Sequence, residues 1–244
     1  MDANQSETKA GMNVFNRIMN VFVAPSQTFE ALIAKPDWAT PLIFIFLVFL
    51  TTSTLLKDVI QREQAVVTKE SIMKNPNIPD GQKEQTAEQA ISMMKKFWAV
   101  GIGVGMIMVV VIYLMGAMLL FLSGSKILKG PGTYVQVLSI FGYCGFIDVL
   151  AAIIKIPIMM INQTMRVDTG LGMFLGEEAI RTPLYVFLSK FDLFTFWQLG
   201  VLIIGLSILY KFSKEKTAGL VLGLWLLWVL ISVGLTAMGM RVGG

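Results

Sequence analysis

Long apolar runs separated by shorter polar segments make up most of this chain. An α-helix rises about 1.5 Å per residue and the hydrocarbon core of a bilayer is about 30 Å thick, so an apolar run of roughly 18 residues predicts a spanning helix. Membrane-spanning strands would instead alternate over about ten residues. We therefore predict an all-α, polytopic transmembrane helix bundle with five spanning helices, at residues 39–56, 97–122, 135–161, 191–212 and 217–240.

A weaker helical pattern precedes the first span. In "MNVFNRIMNVFVA", residues 12–24, polar side chains recur at i, i+3, i+4 and i+7, which indicates an amphipathic helix, and a second short helix follows Pro25. We predict that residues 12–38 are interfacial helices on the membrane surface, the alternative being a soluble cap packed on the bundle. Residues 1–11 are polar and are predicted to be disordered.

Aromatic side chains mark the predicted membrane interface, because their rings are amphipathic and favour the headgroup level. The predicted interface anchors are Phe15, Phe22, Phe29, Trp38 and Trp197.

The longest polar segment, residues 57–96, separates the first two spans. Its acidic and basic residues nearly balance, and "KNPNIPDG" in its middle is a turn signal. We predict a charged, solvated hairpin.

Two short loops are basic and predict the topology. Residues 123–134 contain two lysines and no acid, and residues 211–216 contain three lysines and one glutamate. With five spans, both loops share a side with the N-terminus, so the positive-inside rule predicts a cytoplasmic N-terminus and an external C-terminus. Counting all loops favours the reverse, but the short loops receive more weight because they carry little acid.

Composition narrows the function. The chain is 55% hydrophobic and only 15% charged, and it contains no histidine. The commonest metal ligand and the usual general base near neutral pH are therefore missing, which excludes His-Glu-x-x-His zinc proteases and histidine-assisted serine proteases. The single cysteine, Cys144, has no partner for an intrachain disulfide. We predict no catalysis, cofactor or metal, and, because the net charge of +4 is scattered, no nucleic-acid partner.

Three charged residues lie in or at the ends of spans. "FIDVLAAIIKIPIMMI" in the third span carries Asp148 and Lys155, and Asp192 opens the fourth span. A charge deep in a membrane costs at least about 2.5–3.5 kcal/mol on insertion scales, so each is a functional candidate. Asp148 and Lys155 share a helical face but lie about 10.5 Å apart along the axis, too far for a direct pair. We predict that Asp192 pairs with Lys155 across helices and forms with Asp148 a polar cluster, either structural or part of a transport path.

Small residues spaced four apart let helix backbones approach closely in membranes. Gly101 and Gly105 in the second span, and Gly219 and Gly223 in the fifth, have this spacing and are predicted to pack helices together.

Three stretches in this order resemble the Yip domain, named for Ypt/Rab-interacting proteins. They are "VFVAPSQTFEALIAKPDWATPL" before and into the first span, "IFGYCGFIDVLAAIIKIPI" in the third, and "FDLFTFWQLGVLIIGLSILYKFSKEKTAGLVLGLWLLWVLI" across the last two. The resemblance extends from about Phe15 to the C-terminus and is weakest over residues 57–96 and 166–190. It implies a cytoplasmic N-terminal segment and one five-helix domain over residues 39–244.

Eukaryotic members of that family are implicated in vesicle budding and bind Rab-type GTPases, whereas prokaryotic members have no settled activity. Because a long folded N-terminal region is not seen here, GTPase binding is assigned to no residue, and the chain is expected to be a prokaryotic-type member in the plasma or inner membrane. The first hypothesis is a non-enzymatic, membrane-organising or trafficking-like adaptor that contacts the lipid bilayer and membrane-protein partners or a second copy. The alternative is a small transporter or channel component in which Asp148, Lys155 and Asp192 line a path.

Overall fold

The computed structural model describes residues 12–180 and 182–242, so the predicted disordered segment, residues 1–11, lies outside the described residues. Helices dominate, because in lipid each backbone N–H and C=O must be satisfied within its own segment. The α-helices in chain order are α1 Val14–Val23, α2 Pro25–Ala34, α3 Ala39–Leu55, α4 Lys57–Met73, α5 Asp80–Lys96, α6 Trp98–Phe121, α7 Tyr134–Cys144, α8 Phe146–Asn162, α9 Pro183–Ser189, α10 Leu193–Tyr210 and α11 Lys214–Val242. A π-helical turn, Leu122–Ile127, extends α6.

Among the described residues, four helical stretches are long and apolar enough to cross a membrane: Trp98–Ile127, Tyr134–Asn162, Leu193–Tyr210 and Lys214–Met238. A fifth crossing is obtained when α3 and α4, which meet at an angle of 75°, are counted as one bent span. The predicted all-helical, multi-pass bundle is thus confirmed. The first span is the short one, because the 17 residues of α3 reach only about 25 Å.

The third span forms the centre of the bundle. Inside the chain, 61% of its apolar window is buried, compared with 17% for the second span and 11% for the last. This span is broken at Gly145, between α7 and α8. The most deeply buried large side chains include Val137, Ile140, Tyr143, Ile147, Leu206 and Tyr210. The core therefore lies around α7 and α10, and the outer faces of α6 and α11 are left for lipid or other proteins.

The N-terminal helices pack on this core. Helix α1 contacts α7 and α8, and α2 lies along α10 and α7. Phe29 and Leu32 of α2 are 0% exposed. Gly205 on α10 permits the close approach, because a Cβ there would come within 3.0 Å of the Phe29 ring. Phe29 is thus a core residue, which corrects its assignment as an interface anchor. The position of residues 12–38 at the membrane surface stays a prediction.

Helix α1 turns its charged side chain inward. Arg17 is only 4% exposed, whereas Phe15, Met19 and Val23, at i, i+4 and i+8, are 67%, 43% and 79% exposed. The amphipathic helix predicted here therefore presents an apolar stripe to its surroundings and its arginine to the bundle.

The other predicted anchors differ in exposure. Trp38 is 44% exposed beside the start of α3. Phe22 and Trp197 are half-buried against each other, edge to face, with ring centroids 5.8 Å apart. These two rings join α1 to α10.

The polar segment predicted to form a hairpin folds as α4 and α5, packed side by side. The Glu63 carboxylate accepts hydrogen bonds from the Thr164 hydroxyl (3.0 Å) and the Met165 N–H (2.9 Å). Arg62 donates to the Gln163 side-chain oxygen at 3.0 Å. The hairpin is therefore fastened to the turn that ends α8.

The four glycines predicted to pack helices behave differently. A Cβ on Gly105 would lie 2.6 Å from the Phe49 ring, so α3 and α6 are in close contact there. At Gly101, Gly219 and Gly223 a Cβ would meet nothing within 4 Å. Their predicted role in packing is therefore wrong within the described chain, because no neighbouring helix covers these positions.

Candidate functional site: the polar residues of the third and fourth spans

Asp148 lies in the first turn of α8, just after the break at Gly145. Its carboxylate accepts a hydrogen bond from the side-chain amide of Gln198 on α10. The Asp148 side chain is nevertheless exposed at the surface of the chain. Gln198 had not been singled out from the sequence, although a lone amide in the apolar run "FWQLGVL" was a signal for it.

Lys155 is half-buried on the same face of α8, two turns further along. Its ammonium lies 5.4 Å from the centroid of the Phe194 ring on α10. This is within the range of about 6 Å for an attractive cation–π contact. The predicted ion pair between Lys155 and Asp192 is therefore wrong: the lysine reaches the start of α10 but rests on an aromatic ring.

Asp192 caps the fourth span. Its carboxylate accepts the N–H of Thr195 at 2.8 Å, which satisfies one of the free amides at the N-terminus of α10. The backbone of Asp192 also pairs antiparallel with Gly170. Glycine is required at that crossing, because a Cβ would lie 2.5 Å from the Phe191 carbonyl oxygen. Asp192 is thus occupied by its own helix.

The three residues of the predicted cluster lie along the seam between α8 and α10, where the Asp148 carboxylate is within electrostatic range of Lys155 and Asp192, but each side chain makes its own close contact. Asp148 pairs with an amide, Lys155 with a ring, and Asp192 with a backbone N–H. Within the two described ranges, no three His, Cys, Asp or Glu side chains are grouped to hold a metal ion.

A second polar group was missed by sequence reasoning. The Tyr143 hydroxyl donates to the Asp37 carboxylate at 2.7 Å. Arg17 donates to the Lys35 carbonyl at 3.4 Å, and the Thr28 hydroxyl donates to the Arg17 carbonyl at 3.0 Å. We call Arg17, Asp37 and Tyr143 the N-terminal polar network. Its signal was the one charged side chain of the amphipathic helix, Arg17, close in sequence to "KPDWA".

The charge state of Asp37 follows from this network. Burial raises the pKa of its carboxyl. Hydrogen bonds from Tyr143 and Thr40 and the positive charge of Arg17 together lower the pKa by more than burial raises it, so the pKa lies below its ordinary value. Asp37 is therefore ionised at neutral pH.

Two more side chains hold the backbone from the last turn of α2 to the start of α3. The Tyr113 hydroxyl contacts the carbonyls of Trp38 (3.1 Å) and Leu138 (3.0 Å). The Gln136 amide donates to the Ile33 carbonyl at 2.8 Å. Carbonyls at the end of a helix have no intrahelical partner, so such contacts fix the N-terminal helices on the bundle.

Comparison with known families gives one finding. A family model, the Yip1 domain, matches residues 19–236, from within α1 to near the end of α11. Neither the comparison with curated proteins nor that with solved structures finds a match. The match spans most of the chain and includes the N-terminal polar network apart from Arg17, together with the whole seam between α8 and α10. The chain therefore belongs to the Yip1 domain family.

Proposed function

We propose that this Yip1 domain protein is a non-enzymatic, membrane-organising adaptor that works through protein and lipid contacts. Its protein partner docks on the face of α8 that carries Asp148. The partner is a membrane protein with a lysine or arginine in or beside a spanning helix.

The observation that carries the proposal is an exposed carboxylate inside a span. Lipid tails satisfy the exposed apolar faces of α6 and α11 but offer nothing to the Asp148 side chain. Gln198 supplies one hydrogen bond, and no ion pair accompanies it in the described part of the chain. A cation from a neighbouring helix would complete the site, since polar groups hold membrane helices together.

The transport alternative lacks such support. A groove of about 500 Å³ is lined by residues of α3 to α6 and of the joint between α5 and α6. None of Asp148, Lys155 and Asp192 is among its described lining residues. The candidate charges therefore lie outside this groove.

The proposed orientation places the N-terminus in the cytoplasm. Gly130 lies against Tyr210 and Phe212, so the two short basic loops are neighbours at one end of the bundle. The hairpin and the turn after α8 meet at the other end. A reporter fused after Gly244 is expected to be active only outside the cytoplasm; activity only inside would reverse the assignment.

The adaptor role is tested by photocrosslinking in native membranes. A photoreactive residue at Ala152, one turn from Asp148 on the same face, is expected to capture a membrane protein. Asp148→Asn keeps the acceptor for Gln198 but removes the charge, so the captured amount is expected to fall about ten-fold. Asp192→Asn is the matched control, because asparagine caps a helix as well as aspartate.

Two outcomes would contradict the proposal. One is crosslinking to lipid alone, with no change in Asp148→Asn. The other is an ion or substrate flux in liposomes that a normally folded Asp148→Asn or Lys155→Met protein loses, which would establish the transport alternative.

A further inference from the structure

The groove between α3 and α6 is an unassigned cavity. Its volume of about 500 Å³ lies within the range of roughly 300–1,000 Å³ that is typical of ligand sites. The described side chains and glycine that line it are Phe49, Ser53, Ile60, Gln64, Met94, Phe97, Trp98, Val100, Gly101, Ile102 and Val104.

The chain's own geometry creates the groove. Helix α4 leaves α3 at 75°, while α6 continues as a long span, and residues of α4 and α5 complete the lining on the side of the hairpin. Gly101 leaves a gap in the wall of α6, since a Cβ there would meet nothing within 4 Å. One turn further along, at Gly105, the same wall closes on Phe49. The groove is thus closed within the bundle at Gly105 and lies at the hairpin end of α3 and α6.

Its lining selects an apolar ligand. Nine of the eleven lining positions are apolar or glycine, and the polar exceptions are Ser53 and Gln64. The part of its lining that comes from α3 and α6 belongs to membrane-crossing helices, so the groove adjoins the lipid-facing surface of the spans. A lipid acyl chain has the matching shape and chemistry and is present at high concentration beside the opening.

The mouth of the groove is cationic. The Lys96 ammonium lies 5.7 Å from the centroid of the Phe97 ring, which lines the groove. Lys95, next to the lining residue Met94, is also exposed. Glu63, next to the lining residue Gln64, is half-buried, and its carboxylate is bound to Thr164 and Met165. Basic residues at the edge of membrane helices attract anionic headgroups.

We propose that this groove binds one acyl chain of an anionic phospholipid, whose phosphate is held by Lys95 and Lys96. The proposal deepens the lipid-contact part of the proposed function and rests on it. The docking face at Asp148 is elsewhere, so the two proposals fail separately: lost lipid binding leaves the protein crosslinks at Ala152 intact, and lost crosslinks leave the bound lipid intact.

Gly101 and Gly103 provide a matched pair of variants. Both positions are open, because a Cβ at either meets nothing within 4 Å, but only Gly101 lines the groove. Two residues apart on a helix, they face nearly opposite directions. Gly101→Phe fills the groove, and Gly103→Phe adds the same ring to the outer surface.

The test is native mass spectrometry of the full chain taken from vesicles that contain equal amounts of phosphatidylglycerol and phosphatidylethanolamine. The wild-type protein is expected to retain one phosphatidylglycerol. Gly101→Phe is expected to reduce its retention about ten-fold or more, because the ring occupies the volume that the acyl chain needs, while Gly103→Phe retains it. The double variant Lys95→Gln, Lys96→Gln is expected to lose the preference for the anionic lipid.

Folding is checked separately through Cys144, the single cysteine, which is fully buried and reacts with a thiol dye only on unfolding. If Gly101→Phe unfolds, Val100→Trp replaces it, since Val100 also lines the groove and is 60% exposed. The proposal is overturned if a folded groove variant keeps the lipid, if both lipids are retained equally by the wild type, or if a crosslinker at Trp98 captures a second copy of the chain instead.

Discussion

The position of Phe29 gives the sharpest test of how the N-terminal helices are held. Its side chain is 0% exposed and its ring packs against Gly205 of α10, whereas Phe15 on the neighbouring helix is 67% exposed. Replacing a buried phenylalanine by alanine costs about 3–5 kcal/mol in soluble cores. We take the lower value, about 3 kcal/mol, because in a membrane part of the transfer term is lost when lipid is the alternative surrounding.

Thermal unfolding in detergent, followed by a thiol dye that reports Cys144, measures this cost. For a chain of this size each kcal/mol lowers Tm by about 2–4 °C, so Phe29→Ala is expected to lower it by about 6–12 °C. Phe15→Ala is the control and should shift Tm by about 2 °C or less, since surface substitutions usually stay within about 0.5 kcal/mol. Equal shifts for the two variants would refute the core position of Phe29 and restore it to the membrane interface.

Four further predictions concern the polar contacts. Tyr143→Phe removes the donor to the Asp37 carboxylate and should lower the free energy of unfolding by about 1.5–3 kcal/mol in the same assay. Tyr134→Phe, which loses an exposed hydrogen bond, should lower it less. Equal losses for the two variants would contradict a stabilising role of the N-terminal polar network. The pKa of Asp37 is lowered by folding, so the stabilisation by its carboxylate is present above the unfolded pKa of about 3.9 and is lost as the pH falls from there through the folded pKa. The Tm, followed by tryptophan fluorescence, should therefore fall below about pH 4 in the wild type and fall less in Asp37→Asn. Parallel pH profiles of Tm for the two proteins would contradict the lowered pKa of Asp37. Asp192→Ala should lower the free energy of unfolding by about 1 kcal/mol through the lost helix cap, and Asp192→Asn should leave it almost unchanged. A large loss of stability in Asp192→Asn would show that the charge of Asp192, and not its cap, stabilises the protein. A double-mutant cycle of Lys155→Met and Phe194→Leu should give a coupling of about 0.5–1 kcal/mol, and stronger coupling of Lys155 to Asp192 would favour the ion pair.

The candidate site shows where sequence reasoning succeeds and where it stops. Asp148, Lys155 and Asp192 were found because a charge in an apolar run stands out. Their partners were not found, because neither the amide of Gln198 nor the ring of Phe194 shows in the sequence which charge it meets, and only the crossing of α8 and α10 brings them close.

The N-terminal polar network was missed for a related reason. Arg17 reads as the solvated face of an amphipathic helix, and Asp37 as a loop residue. Their connection to Tyr143 joins positions more than a hundred residues apart, so local periodicity carries no trace of it.

By itself, the sequence determined the helical fold, the crossings and their approximate ends. These follow from one local requirement: a segment in lipid must satisfy its own backbone hydrogen bonds and cover about 30 Å with apolar side chains. Only the tertiary structure decided that Phe29 is core, that Arg17 faces inward, that Gly105 packs while Gly101 opens a groove, and that Asp148 stays exposed. The physical reason is that lipid and protein interior are both apolar, so hydrophobicity fixes which residues enter the membrane but not which of them meet another helix.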